Sequence, residues 1–244
     1  MAAGEMAKSS IELYDASKLT NSLVPSGYPS RPQGPDGSRS LPGAYQGVAL
    51  YVDIRKSTEI GRHITRRFGA TRRAELFRDF LQTCMETIVR ESGATCDYSG
   101  DAVRATLTGP DSAGRALAAA RAVIRYASEI FEPACKQYLT GRKRGWLWGR
   151  RDYLPFQVSA GIDSGEIVPT LMATSNGCTT ELQATPVDVA AKICGIVKPG
   201  SIGITMDTYR KLRPALLESD RRHRRSVRIG GELTPILTVR PSSK

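Results

Sequence analysis

The sequence lacks the features that mark membrane-spanning and zinc-binding proteins. It contains no run of about 18 apolar residues, the length that a membrane-spanning helix needs. Its beginning lacks the basic, apolar and small-residue pattern of a secretory signal peptide, so we expect a cytoplasmic protein that does not bind membranes. The two histidines and five cysteines include no CxxC pair and form no recognisable zinc-binding set. We therefore expect reduced, mostly structural cysteines.

The composition has an excess of positive charge. The 244 residues carry a formal net charge of +11, much of it in clusters at 62–73, 142–151 and 221–228. Such charge attracts nucleic acid, membrane surfaces or nucleoside triphosphates, although most runs of charge are solvated faces. The middle cluster also contains Trp146 and Trp148. This mixture suits stacking on single-stranded nucleic acid, but a basic hairpin whose tryptophans pack on the domain is the favoured interpretation.

Composition also divides the chain into a tail and one domain. Residues 1–45 hold five prolines among glycines and serines, and they cannot bury enough apolar surface to offset the entropy cost of ordering. We expect a partly disordered N-terminal tail or arm there. The remainder, 46–240, is long enough to form one sizeable core.

The most informative stretch is Gly-Val-Ala-Leu-Tyr-Val-Asp-Ile-Arg-Lys-Ser-Thr at 47–58. Its alternation predicts a strand with apolar side chains on one face and with Tyr51 and Asp53 on the other. Ser57 or Thr58 is then expected to open a helix. The strand thus delivers a carboxylate next to free backbone N–H groups and the positive end of a helix dipole. Such a site suits a divalent metal together with a polyphosphate.

The rest of the domain mixes helices with hairpins. Apolar residues at three- and four-residue spacing predict amphipathic helices at 72–90 and 112–131. The Ser-Gly-Asp sequence at 99–101 predicts a hairpin turn that carries a second aspartate. A strand at 156–162 is predicted to turn at the Asp-Ser-Gly sequence 163–165. The frequent hairpins favour an α+β fold with a mostly antiparallel sheet.

Four motifs occur in a specific order along this domain. They are Tyr-Val-Asp-Ile-Arg-Lys-Ser-Thr at 51–58, Gly-Asp at 100–101, Gly-Ile-Asp-Ser-Gly-Glu-Ile at 161–167 and Val-Asp-Val-Ala-Ala-Lys at 187–192. Together they resemble the motifs of the class III nucleotidyl cyclases, the adenylate and guanylate cyclases. The resemblance implies a ferredoxin-like, palm-type fold in which helices pack on a mostly antiparallel sheet.

The resemblance also implies a phosphorus–oxygen lyase with two divalent ions, Mg²⁺ or Mn²⁺, in each site. The metal ligands would be Asp53, Asp101 and the backbone carbonyl of Ile54, since hard cations take oxygen ligands. The ribose 3′ hydroxyl would attack the α-phosphorus of a nucleoside triphosphate and release pyrophosphate. Outside this ordered context, both aspartates would read as ordinary turn or cap residues. The backbone that binds the β- and γ-phosphates would be that of Arg55, Lys56, Ser57 and Thr58.

The family works as a head-to-tail homodimer with shared active sites. One chain supplies the metal ligands, and its partner supplies an asparagine and an arginine that correspond here to Asp188 and Lys192. Lysine keeps the positive charge but loses the bidentate geometry of arginine, and an ionised aspartate accepts hydrogen bonds but donates none. Three interpretations stay open: these residues serve the reaction, an arginine of a basic cluster contributes, or Lys192 is a solvated helix residue of a non-catalytic relative.

The residues expected to contact the base favour a pyrimidine. Purine cyclases commonly place a lysine where this chain has Asp97, and Glu181 occupies the second base-reading position. Tyr51 would narrow the pocket, unless it is an ordinary core or interface tyrosine. The single-domain format and this tyrosine resemble the bacterial pyrimidine (uridylate and cytidylate) cyclases of Pycsar anti-phage defence. Those enzymes make cyclic UMP or cyclic CMP as a signal for a separate effector.

UTP is the expected substrate, and cyclic UMP the expected product. Uracil presents an N3–H donor that suits an acidic acceptor such as Asp97 or Glu181. The exocyclic amine of cytosine also donates, so CTP stays open, as does a purine cyclase with an unusual pocket. A different class of function is a non-catalytic, cyclase-like module that binds nucleotide or nucleic acid through its tryptophans and arginines. For the enzyme itself we expect no nucleic-acid partner.

Overall fold

The computed structural model describes residues 44–140, 154–174, 177–183, 185–213 and 221–241. The predicted tail lies outside these ranges except for its last two residues, and the tryptophan-containing cluster at 142–151 lies outside them entirely. Among the helices of the described ranges, none combines the length and the apolar character that a membrane crossing needs.

Strands and helices are interspersed along the described chain. The strands are β1 (Tyr45–Arg55), β2 (Thr95–Ser99), β3 (Ala102–Leu107), β4 (Gln157–Thr174), β5 (Gly177–Gln183), β6 (Ile202–Thr205), β7 (Arg221–Ile229) and β8 (Glu232–Arg240). The helices are α1 (Ser57–Phe68), α2 (Ala70–Ser92), α3 (Ser112–Arg125), α4 (Glu132–Thr140), α5 (Thr185–Ile196) and α6 (Met206–Arg210). A π-helical turn, Tyr126–Phe131, joins α3 to α4. The helices predicted at 72–90 and 112–131 are therefore confirmed, the second with a π-helical end.

The strands form one sheet in the order β2-β3-β1-β4-β6-β8-β7, and β5 pairs with β4 outside this order. The β4–β6 pair is parallel, and the other strand pairs of the described residues are antiparallel. This arrangement confirms the predicted α+β fold with a mostly antiparallel sheet and packed helices.

Strand β1 separates the main core from a more polar face of the sheet. Val48, Leu50, Val52 and Ile54 are each at most 2% exposed, and they pack in one core with residues of α2 and α3. This burial follows from alternation, because every second side chain of a strand points to the same face. The opposite face of β1, which carries Asp53, is the one on which the candidate site lies.

Helix α5 packs directly on that polar face. A Cβ atom added at Gly161 of β4 would lie 1.9 Å from the carbonyl oxygen of Ala190, so only glycine allows this close approach. Ala190 and Val187 of α5 are buried together with Ala49 of β1, and Tyr51 packs against this cluster. Helix α5 is therefore held in one position against β1 and β4 by close packing.

The prediction of a turn at 163–165 is wrong. These residues lie inside the long strand β4, where Asp163, Ser164 and Gly165 pair with the first half of β1. The Thr205 hydroxyl donates a hydrogen bond of 2.5 Å to the buried Asp163 carboxylate. Pairing with β1 satisfies the backbone polar groups of this segment, and the Thr205 hydroxyl satisfies the Asp163 carboxylate. The segment therefore stays extended, although its local sequence favours a turn. The chain reverses instead between β4 and β5.

Candidate active site

Two aspartates meet where β1 and the β2–β3 hairpin end. Asp53 of β1 pairs with Ala102 of β3, so Asp101, the residue before Ala102, lies beside it. Gly100 adopts the left-handed conformation (φ 65°) that the tight turn before Asp101 requires. The predicted hairpin at 99–101 is confirmed. Residues nearly fifty positions apart in the chain are thus brought together by strand register.

Their proximity changes the electrostatics of Asp53. Partial burial, followed by the negative charge of Asp101, raises the pKa of Asp53 to about 6. The nearby Arg55 guanidinium and a hydrogen bond from the backbone N–H of Ile54 oppose this rise. Two adjacent carboxylates repel each other, and a cation placed between them relieves that repulsion.

Helix α1 begins immediately after these residues. It runs from Ser57, and Lys56 before it adopts a left-handed conformation (φ 58°) without a side-chain cap hydrogen bond. The prediction that Ser57 or Thr58 opens this helix is confirmed, and the strained backbone of Lys56 makes the sharp turn before it. The first backbone N–H groups of a helix have no carbonyl partner within that helix. They provide an anion-binding end close to Asp53.

The Arg55 side chain, at the end of β1, contacts the last turn of α5. Its Nη1 atom donates hydrogen bonds to the carbonyl oxygens of Gly195 (3.0 Å) and Cys194 (3.4 Å), in the last turn of α5. Sequence reasoning assigned only the backbone of Arg55 to phosphate binding and missed this contact. No local pattern signals it, because the two partners are 140 residues apart along the chain.

Tyr51 lies on the same face as Asp53, as the alternation of β1 predicts. Its ring packs against the small cluster of Ala49, Val187 and Ala190. Burial raises the pKa of its hydroxyl, and the charge of Asp53 contributes to the rise. Tyr51 is therefore partly a packing residue, and its hydroxyl end lies near the carboxylate pair.

Asp97 forms an ion pair that the sequence analysis did not include. The Arg104 Nε donates to its carboxylate at 2.5 Å. Asp97 and Arg104 are directly opposite each other on β2 and β3, and Arg104 is opposite Tyr51 on β1. The three side chains thus form one row across the sheet. The predicted hairpin could have identified Arg104, because a two-residue turn at Gly100 and Asp101 pairs Ser99 with Ala102 and therefore Asp97 with Arg104.

Asp188 and Lys192 lie exposed on α5. The buried side of α5, which includes Val187, Ala190 and Cys194, faces the sheet, so the two residues point away from their own sheet. They are one helical turn apart and share a face. Glu181 belongs to β5, where its backbone pairs with Thr170, but its side chain lies outside the described part of the structure.

The residues at the end of β1 fit a divalent cation that takes oxygen ligands. Within the described ranges, no group of three or more histidine, cysteine or acidic side chains could hold a metal. The candidate set is instead the Asp53 and Asp101 carboxylates with a backbone carbonyl such as that of Ile54. Hard ions such as Mg²⁺ are commonly held by one or two carboxylates, with substrate phosphates completing the shell.

Solved structures resemble this chain over most of its length. The guanylyl cyclase Cya2 matches with a TM-score of 0.63 and 17% identity, covering 84% of this chain and 96% of that one. The adenylyl cyclase CyaB from P. aeruginosa matches with a TM-score of 0.63 and 16% identity, over 82% and 96% of the two chains. The chain has the nucleotide cyclase fold.

A third cyclase structure extends the comparison. The guanylate cyclase domain of RhGC from Catenaria anguillulae, solved with GTP, matches at a TM-score of 0.60 and 19% identity, over 83% of this chain and all of that domain. No protein-family profile and no curated protein sequence matches this chain. The cyclase fold is thus evident in the backbone at a sequence identity below one in five.

Proposed function

We propose that this protein is a nucleotide cyclase, a phosphorus–oxygen lyase that converts a nucleoside triphosphate to the 3′,5′-cyclic nucleotide and pyrophosphate. The observation that carries this proposal is the meeting of Asp53 and Asp101 beside the first turn of α1. Oxygen ligands for divalent ions and N–H donors for phosphate then lie at one place. Fold resemblance to adenylyl and guanylyl cyclases supports the same reaction.

The chain's own residues perform distinct tasks in this reaction. Asp53, Asp101 and the Ile54 carbonyl would hold two Mg²⁺ or Mn²⁺ ions, and such ions would supply stabilisation of the ionised ribose 3′ hydroxyl and of the charge on the phosphates. The backbone from Arg55 to Thr58 binds the β- and γ-phosphates at the N-terminus of α1. The triphosphate is thereby oriented with its α-phosphorus next to the ribose hydroxyl, which lowers the entropic part of the barrier.

A homodimer completes each site in this proposal. Asp188 and Lys192 are exposed and point away from their own sheet, which suits contact with a nucleotide bound to a partner chain. Lys192 would place a positive charge on the phosphates as negative charge spreads in the transition state. Asp188 would accept a hydrogen bond from a ribose hydroxyl.

The proposed substrate is a pyrimidine nucleotide, with UTP first. Tyr51 occupies space on the sheet face next to Asp53, which favours the smaller base. Asp97, oriented by Arg104, provides an acceptor that suits the N3–H of uracil, and Glu181 is the second proposed contact. The cyclic UMP product would act as a second messenger for a separate effector in bacterial anti-phage defence. Only the motif resemblance supports this biological role.

A pyrophosphate-release assay tests the proposal. The purified protein is mixed with Mn²⁺ and with UTP, CTP, ATP or GTP in separate reactions. We expect release from UTP, and loss of release in Asp53→Ala and Asp101→Ala. Asp79→Ala is the matched control, because Asp79 is an exposed carboxylate of α2 that pairs with its neighbour Arg78. An active Asp101→Ala protein would contradict the metal assignment. Pyrophosphate release from GTP or ATP alone would support the cyclase reaction but contradict the proposed pyrimidine substrate.

A further inference from the structure

Arg55 ties the strand that carries Asp53 to the helix that carries Lys192. Its guanidinium group donates to the Gly195 and Cys194 carbonyls, which belong to the last turn of α5. Carbonyls at a helix C-terminus lack intrahelical partners and carry the negative end of the helix dipole. A fixed cation is therefore a favourable partner for this end of α5, and arginine is suited to it because one planar group can bond several acceptors.

A second contact holds the same turn of α5. Ser159 of β4 is the residue directly opposite Asp53, and its hydroxyl donates to the Cys194 carbonyl at 2.9 Å. The Cys194 thiol donates back to the Ser159 carbonyl at 3.2 Å. The end of α5 is thus attached to both strands at the level of Asp53. Of the two side chains that make these attachments, Arg55 is the charged one and lies two residues from the carboxylate.

We propose that Arg55 is a positioning residue that links the two halves of the catalytic machinery within one chain. It holds the end of β1 next to Asp53, and it holds α5 so that Asp188 and Lys192 keep their orientation. This inference rests on the proposed function. In a head-to-tail dimer, the Asp53 half and the Lys192 half of one chain serve different active sites. Arg55 of one chain would then support both sites.

Mixed dimers separate the effect of Arg55 on Asp53 of its own chain from its effect on Lys192 of its own chain. A Lys192→Ala chain paired with an Asp53→Ala chain has one intact site, in which the first chain supplies Asp53 and the second supplies Lys192. Arg55→Gln is placed either in the first chain or in the second. We expect kcat to fall by about tenfold or more in both placements, since a small misplacement of reacting groups has effects of this size. Arg55→Lys should restore part of the loss in each.

Several outcomes would overturn the link. A loss of kcat in only one placement would show that Arg55 serves only one half, and no loss in either would remove it from the machinery altogether. Arg78→Gln is the matched control, because this exposed arginine of α2 pairs with Asp79 and should leave kcat unchanged. Melting temperature and dimer mass are measured for every chain, so that misfolding is not mistaken for mispositioning.

Hydrogen exchange provides a readout that is independent of activity. In metal-free protein, Arg55→Gln should speed exchange of the backbone amides in the last turn of α5 and in residues 53–56, while exchange in α3 stays as in the wild type. Unchanged exchange in α5 would contradict the link even if the protein showed no cyclase activity. Absence of cyclic product from the wild-type protein would contradict the proposed function alone.

Discussion

Replacing Asp53 by asparagine should stabilise the metal-free protein at neutral pH, although it should abolish catalysis. The raised pKa of Asp53, about 6 against an ordinary value of 3.8, means that the folded state favours the protonated carboxyl. Below the ordinary pKa, the carboxyl is protonated in both folded and unfolded states and costs nothing. Between the two pKa values, the free-energy cost of ionising the carboxyl in the folded state grows with pH. Above the folded pKa this cost reaches its full size.

The size of this penalty follows from the shift. A difference of about two pKa units corresponds to roughly 3 kcal/mol. Asp53 is only half-buried, and solvent screening reduces the effect, so we expect Asp53→Asn to raise the free energy of unfolding by about 1–2 kcal/mol near pH 7.5. The gain should disappear below about pH 4, where the wild-type carboxyl becomes protonated in both the folded and the unfolded state.

Urea unfolding in the presence of EDTA measures this difference at both pH values. Asp79→Asn, on the exposed surface of α2, is the control and should show no comparable gain. Added Mn²⁺ should stabilise the wild-type protein more than Asp53→Asn, because a ligand that binds only the folded state shifts its stability by mass action. A free energy of unfolding that falls on substitution at pH 7.5 in EDTA, or a gain that does not vary with pH, would refute the electrostatic reasoning.

Two further predictions concern packing and base selection. Gly161→Ala should lower the free energy of unfolding by about 1–3 kcal/mol, because the new methyl group would meet the Ala190 carbonyl at 1.9 Å and displace α5; Gly195→Ala, where a Cβ has open space, is the control in urea unfolding. Tyr51→Ala should raise kcat/KM for ATP or GTP relative to UTP by at least tenfold, a ratio worth about 1.4 kcal/mol. Unchanged relative rates with the four nucleotides would remove Tyr51 from base selection.

Local sequence predicts those parts of the fold that local interactions determine. Alternation in β1 places Tyr51 and Asp53 on one face, and the left-handed Gly100 is required by the Ser-Gly-Asp turn that carries Asp101. The spacing of apolar residues likewise identifies α2. These features depend on neighbours within a few residues, so the pattern contains the necessary information.

The remaining features depend on partners distant in sequence. The Asp-Ser-Gly sequence at 163–165 has turn-forming residues, but pairing with β1 and the Thr205 hydroxyl keep it extended. The Arg55 contact with α5, 140 residues away along the chain, arises only when strand and helix are assembled. Tertiary contacts override local preference at these positions.

The identity of the cyclic nucleotide that the protein makes tests the proposed active site most directly. The decisive measurement offers an equimolar mixture of UTP, CTP, ATP and GTP to the protein with Mn²⁺, and identifies the products by mass spectrometry. We expect cyclic UMP as the main product from the wild-type protein and no cyclic product from Asp101→Ala. Absence of any cyclic nucleotide from folded, dimeric wild-type protein would contradict the central claim that Asp53 and Asp101 form a cyclase active site.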